Sequence, residues 1–298
     1  MRRQRALNLP VMMAGAMVLL AAVPSVRAET SVSYTLGNST GDYVSHTIDA
    51  GFDVKVIPVE ARLDALQASS GGAEVLNQYG VALTWRPVSL LSFKYKRSGV
   101  KDTTFSVNGN ELGASLHLDG LIKDKLETRF DFGATALDYG LRVNAPALDG
   151  LVPDQRRQSF GIRQDLIQGL SLYATFDQYS YSRDPVAIAR FLVTRRKPRV
   201  NAAFSLVDFP DLSRNYGFSW GATDKLDLDF SFSQTDSVIG QRQQTLRLAG
   251  TWAATQNASV TLAASQTATG AVVLPNGTPL IDEQRGSTVE LTLGWSFN

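Results

Sequence analysis

Residues Ser287 to Asn298 read S-T-V-E-L-T-L-G-W-S-F-N. Val289, Leu291, Leu293, Trp295 and Phe297 fall on one face of an extended chain, and Glu290, Thr292, Gly294, Ser296 and Asn298 on the other. A period of two is the strand period. A soluble edge strand is blunted with charge, whereas this one keeps an aromatic on its apolar face up to its last turn of pleat. The pattern fits a strand with lipid on one side and a polar lumen on the other.

The same stretch resembles the C-terminal assembly signal of Gram-negative outer-membrane β-barrels, here with Asn298 placed after the aromatic. That resemblance implies an outer-membrane protein, inserted by the barrel-assembly machinery through this strand. The expected fold is all-β: a closed antiparallel up-and-down transmembrane barrel with short periplasmic turns and modest extracellular loops.

Upstream, the pattern repeats as hairpins. Ile48, Ala50 and Phe52 alternate with Asp49, Gly51 and Asp53; beyond a turn at Pro58, Val59, Ala61 and Leu63 alternate with Glu60, Arg62 and Asp64. Tyr79, Val81, Leu83 and Trp85 lead to Arg86-Pro87, and Leu91, Phe93 and Tyr95 lead away opposite Ser92, Lys94 and Lys96. Further turns are expected near Ile122, Gln168, Thr223 and Asn257. If Ala189–Leu206 adds another hairpin around Lys197-Pro198, the barrel has about 16 strands; if that segment is an extracellular loop, it has about 14. The quality of the Val200–Leu206 alternation favours the larger number.

Composition agrees. The chain has 298 residues, net charge +1 and mean hydropathy −0.08, as expected when lipid-facing and lumen-facing residues alternate and cancel. There is no cysteine, which excludes disulfides, cysteine-ligated metals and c-type haem attachment. The near-neutral charge leaves no nucleic-acid footprint. Residues 1–28 read as a cleaved Sec signal: Arg2, Arg3 and Arg5, then the apolar stretch Val11–Val23, then Val26-Arg27-Ala28, so that 29–298 form the barrel. Val11–Val23 is short for a membrane span, which takes roughly 17–25 residues.

The aromatics divide by type. Trp85, Trp220 and Trp252 precede tight turns and Trp295 and Phe297 lie near the C-terminus, which places one girdle at the periplasmic interface. Most tyrosines, namely Tyr34, Tyr43, Tyr79, Tyr95, Tyr139, Tyr179, Tyr181 and Tyr216, are expected at the opposite strand ends as a second girdle.

Between the lipid-facing positions lie the expected lumen residues. The bases are Lys55, Arg62, Lys94, Lys96, Arg129, Arg163 and Arg247. The acids are Asp49, Asp53, Glu60, Asp64, Glu127, Asp131, Asp165, Asp177, Asp227, Asp229 and Glu290. A mixed-charge lumen with a mild excess of carboxylates suits passive diffusion of small hydrophilic solutes with weak cation preference. Cross-strand ion pairs that only stabilise the interior are the plainer reading of the same residues. The apolar segment Leu141–Pro153 is expected as an ordinary outside loop, with a constriction as the alternative.

Catalytic material is thin. Ser115 beside His117 is similar to pairs in outer-membrane lipid hydrolases, but Leu116 and Leu118 take the lipid face and leave the pair inside, without an orienting third group. No enzyme, cofactor or metal site is expected. The hairpin from Thr84-Trp85-Arg86-Pro87 to Leu91–Tyr95 resembles those of barrels that sheathe multihaem cytochromes. This leaves a second expectation, a non-conducting scaffold for an unidentified lipoprotein, periplasmic or redox partner.

Overall fold

The computed structural model describes residues 28–40, 42–54, 58–71, 73–102, 105–118, 126–142, 150–167, 169–185, 187, 209–273, 279–281 and 283–297. The strands are β1 (Ala28–Ser39), β2 (Tyr43–Val54), β3 (Val59–Ser70), β4 (Ala73–Val88), β5 (Leu91–Asp102), β6 (Phe105–His117), β7 (Thr128–Leu141) and β8 (Gln155–Ile167). They continue as β9 (Leu170–Tyr181), β10 (Pro210–Thr223), β11 (Leu226–Ser237), β12 (Arg242–Ala253), β13 (Ala258–Thr269) and, last, β16 (Gln284–Phe297). Two short strands, β14 (Val272–Val273) and β15 (Pro279–Ile281), form a separate ribbon in the connection before β16.

Each main strand pairs antiparallel with its sequence neighbours, and β16 closes the sheet on β1. Trp295 lies opposite Val32, Leu291 opposite Leu36 and Phe297 opposite Thr30. On the other face of that seam the Thr35 and Thr292 hydroxyls meet at 2.7 Å. Closure satisfies every edge, which is the condition for an all-strand structure in hydrocarbon.

Among the described residues the barrel has fourteen strands, the smaller of the two expected numbers. β9 pairs directly with β10, with Leu212 opposite Gln178 and Trp220 opposite Leu170, so no hairpin is inserted between them. The Ala189–Leu206 segment itself lies outside the described residues. Alternation over seven residues marks an extended chain, but pairing partners decide whether it joins the sheet.

The end at which β1 starts and β16 finishes is called the near end. The strand ends that flank its connections lie where turns were expected, with one shift; Ile122 and Gln168 themselves lie outside the described residues. Arg86 and Pro87 belong to β4, at an irregularity between Trp85 and Val88, and the reversal follows at Ser89–Leu90. Proline has no N–H for the ladder and is tolerated at a bulge. At the β8–β9 turn Gly169 adopts φ 84°, a left-handed conformation that favours glycine.

Strand parity sorts the side chains. Outward positions carry the large exposed apolar groups, including Val81, Leu83, Phe93, Leu112, Phe132, Leu248 and Leu262. The four tryptophans and Phe297 are all exposed on this outer surface near the near end. Tyr79, Tyr95 and Tyr216 are outward as well, each directly below a polar outward residue, Asn77, Arg97 and Arg214 respectively. The other expected girdle tyrosines divide. Tyr34 is outward, its hydroxyl 2.6 Å from His46 Nδ1, whereas Tyr43, Tyr139, Tyr179 and Tyr181 have inward parity. A strand end does not fix a facing; the register does.

The inward tyrosines help explain the far end. Phe105, Phe209, Tyr139, Tyr181, Leu141, Leu151, Val152 and Val238 pack together inside the barrel mouth. The Phe209 ring lies 5.8 Å from that of Tyr181 and is 1% exposed. Pro153 is fully buried too. The described ends of the Leu141–Pro153 segment therefore turn inward instead of remaining an ordinary outside loop, because their apolar side chains find a surface to bury against only there. Val143, Ala145 and Leu148 lie outside the described residues.

Candidate functional site

The interior holds an open cavity of about 1110 Å³ that runs from the near end past Asp49, Arg62, Asp64, Lys94, Lys96, Glu111, Arg129, Asp131 and Arg157. Eight-stranded barrels are filled by their side chains; diameter grows with strand number, and fourteen strands leave room for such a space.

The wall made by β3–β8 is a lattice of pairs. One lateral row of strand partners runs Gly51, Arg62, Ala82, Lys96, Glu111, Thr135, Arg157 and Tyr179. Glu111 accepts from Lys94 Nζ at 2.9 Å and from Arg157 at 3.2 Å, and Arg157 also reaches the Thr135 hydroxyl at 3.0 Å. Lys96 Nζ contacts Asp64 at 2.9 Å across Gly80, a position where any Cβ would collide with the Asp64 carboxylate. Arg62 and Arg86 both contact Glu60, at 2.5 and 3.4 Å. Arg129 Nε is 3.0 Å from Asp131. Arg163 donates to Ser171 and Ser219, both at 3.1 Å, and Ser171 donates to Asp165 at 2.5 Å.

The wall made by β9–β13, β16, β1 and β2 differs. Its inward acids are Asp177, Asp227, Asp229, Glu290, Glu29, Asp49 and Asp53, and its one inward base among the described residues is Arg247. A lateral row here runs Glu290, Ala263, Ala249, Asp229 and Ser219. Ala249 and Ala263 are small and buried, which leaves space for Arg247 to reach Glu290 at 3.3 Å and Asp229 at 3.9 Å. Asp229 also lies 3.4 Å from the Tyr173 hydroxyl, and Asp177 accepts from Ser159 at 2.5 Å. Tyr173 lies over Gly217, where a Cβ would meet the Tyr173 ring and the Phe230 carbonyl. Asp53 sits between Glu29 and Glu60 in one row near the near end.

Lys55 lies outside the described residues; the other expected lumen residues take inward positions on one wall or the other, with Glu127 immediately before β7. The expectations omitted Glu111, Arg157, Arg86 and Tyr173. All four follow from the same parity count: Glu111 precedes outward Leu112, Arg157 is three before outward Phe160, Tyr173 follows outward Leu172, and Arg86 follows outward Trp85.

Ser115 and His117 are inward but are not a pair. Ser115 donates to Asp131 at 2.5 Å. His117 instead has Glu127 3.1 Å from Nδ1 and Ser92 3.4 Å from Nε2, a connectivity visible only after folding because the three residues come from three separate stretches. An acyl-transfer site also needs converging donors for an oxyanion. The adjacent His117 amide is already given to Leu90 O at 2.8 Å.

A closed antiparallel sheet with an apolar outside and a hollow, charged inside defines a transmembrane β-barrel. No family model matches the sequence, and no curated protein matches it. Among solved structures, the chain is similar to the KdgM porin (7% identity, 90% of this chain and 99% of that one, TM-score 0.44). It is also similar to OprB of Pseudomonas putida (11%, 91% and 93%, TM-score 0.47) and to the NanC porin (7%, 89% and 98%, TM-score 0.44). At such identities the likeness is one of barrel form, and the solutes of those proteins do not transfer to this one.

Proposed function

We propose that this protein is an integral barrel of the Gram-negative outer membrane through which small hydrophilic solutes diffuse, with weak preference for cations. What supports this reading is the open interior cavity, together with the inward carboxylates of β9–β13, β16, β1 and β2, which outnumber Arg247 among the described residues and of which Asp49 lines the cavity itself. Carboxylates around an aqueous path raise local cation concentration. The paired wall adds little net charge, since Arg62, Arg86, Lys94, Lys96, Arg129, Arg157 and Arg163 are nearly matched by Glu60, Asp64, Glu111, Glu127, Asp131 and Asp165.

In this reading the near end is periplasmic. Residues 1–28 direct Sec export, β16 presents the assembly machinery with its recognition strand, and outward Trp85, Trp220, Trp252, Trp295 and Phe297 anchor the periplasmic interface. Tyr79, Tyr95 and Tyr216 mark the opposite boundary of the apolar band. No catalytic step is required of the lumen.

Insertion into planar bilayers tests the proposal. Stepwise conductance with a reversal potential on the cation side in a salt gradient is expected. Silent insertion would turn the reading to the non-conducting scaffold for a protein partner, which the apolar cluster at the far mouth favours. Ohmic conductance without selectivity would leave the channel and remove the cation preference.

A further inference from the structure

The outer surface carries a polarity unrelated to the lumen. Among the strand residues whose side chains are described, outward charges occur only toward the far end: Arg97, Lys101, Arg156, Arg214, Arg242 and Arg285, against Asp138 and Asp236. Toward the near end the same parity presents tryptophan, phenylalanine, leucine and threonine. A rim that merely met water would not need this asymmetry, since both ends meet water.

The collar is most organised across β10–β12. Asp236 accepts from Arg242 Nε at 2.7 Å and lies 3.5 Å from an Arg214 terminal nitrogen. Gln234 donates to the same carboxylate at 3.2 Å, and Gln244 donates to Gln234 at 3.4 Å. One acid thus holds two guanidiniums side by side, with net positive charge left over. Each guanidinium has five donors in a fixed fork, suited to bidentate contact with phosphate. One outward step toward the near end from Arg214, and two from Asp236 and Arg242 past Gln234 and Gln244, the surface becomes Tyr216, Phe232 and Leu246. The cluster is therefore seated at the upper boundary of the apolar band, where headgroups lie.

We propose that Arg214 and Arg242, oriented by Asp236, bind the phosphate groups of a phosphorylated glycolipid in the outer leaflet. A lipid is the occupant because the cluster continues the lipid-facing surface without a break and shares its parity, and because the other outward cations extend the collar around the barrel. Both sources of the chemistry, free phosphate and lipid headgroup, offer the same acceptors, but only the lipid also covers the Tyr216–Phe232–Leu246 strip.

The test is native mass spectrometry of the full folded barrel in detergent, titrated with diphosphoryl lipid A, with dephosphorylated lipid A and with phosphatidylethanolamine. Wild type is expected to retain diphosphoryl lipid A selectively. Arg214→Gln and Arg242→Gln should each weaken it about tenfold, the scale of a charge-assisted hydrogen bond, and Arg→Lys at either site should fall between. Far-UV circular dichroism and heat-modifiable gel migration report whether the variants remain folded, and Ser106→Ala, outward and far from the cluster, is the matched control. Equal retention of the dephosphorylated lipid would overturn the proposal, as would unchanged binding in the folded double variant. Displacement of diphosphoryl lipid A by inorganic phosphate at equal concentration would also overturn it, by reducing the cluster to a generic anion site.

Discussion

The two walls of the lumen are built from the same strand period yet handle charge in opposite ways. On β3–β8, acids and bases intermingle, so Lys94, Lys96, Arg129 and Arg157 each contact an acid on the same strand or one or two strands along the wall. On β9–β13, β16, β1 and β2 the other inward positions are mostly serine, threonine, alanine and glycine, with Tyr173 and Asn215 among them, and Arg247 bridges Asp229 and Glu290. A lattice of pairs holds shape and nearly cancels its own field. A wall with surplus carboxylates contributes the field that permeating ions experience. The far-end apolar cluster lies to one side: Phe105, Tyr139, Tyr181 and Phe209 sit at the mouth above β6–β10.

The largest effect should come from reversing the acid wall. Asp49→Lys with Asp229→Lys should carry the reversal potential in a salt gradient from the cation side to the anion side, with the barrel still inserting. The matched change on the paired wall, Asp131→Lys, frees Arg129 and should also move the potential. A smaller movement from the acid-wall pair than from this single change would break the comparison between the walls.

Phe209→Ala comes next. The ring is buried in the far-mouth cluster, and removing a buried phenylalanine costs roughly 3 kcal/mol. Urea unfolding in detergent should show that loss, and single-channel conductance should rise because the mouth widens. A lowered unfolding midpoint with unchanged conductance would mean that the cluster is scaffold only and does not narrow the path.

Much of this arrangement was legible before folding, for a definite reason. Parity survives in any window of an antiparallel sheet, so Val289–Phe297 and the inward positions of Asp49, Arg62 and Asp64 could be counted along the chain. Quantities that depend on which strand lies beside which could not. The strand number turned on β9 meeting β10. The inward facing of Tyr139 and Tyr181 followed from registers with β6 and β8. His117 gained Glu127 and Ser92 through the β6–β7 connection and the β5–β6 ladder. The reach of Arg247 across Ala249 and Ala263 depends on two small residues on different strands. Local chemistry marks a face, and only closure of the sheet assigns neighbours.

A smaller effect is expected from Arg157→Gln. Arg157 and Glu111 are 31% and 23% exposed, and Lys94 remains to accompany Glu111. Loss of the charge-assisted contact should lower stability by about 1 kcal/mol. Selectivity should move only slightly toward cations. A midpoint identical to wild type would mean that the pairs of this wall are decoration.

The smallest change in stability, and the sharpest test, lies at the seam between the walls. Asp49 on β2 stands directly opposite Asp64 on β3, an arrangement of like charges that destabilises a strand pair. Lys96 relieves it by crossing the space that Gly80 leaves open. In Lys96→Gln two opposed carboxylates face the cavity without that ammonium. Partly exposed pairs contribute at most about 1 kcal/mol, so unfolding should hardly change. Cation preference should increase, because the lumen gains one net negative charge where the two walls meet. If instead stability falls steeply while the reversal potential stays fixed, Lys96 belongs to the framework of the barrel and the field of the lumen is set elsewhere on the acid wall.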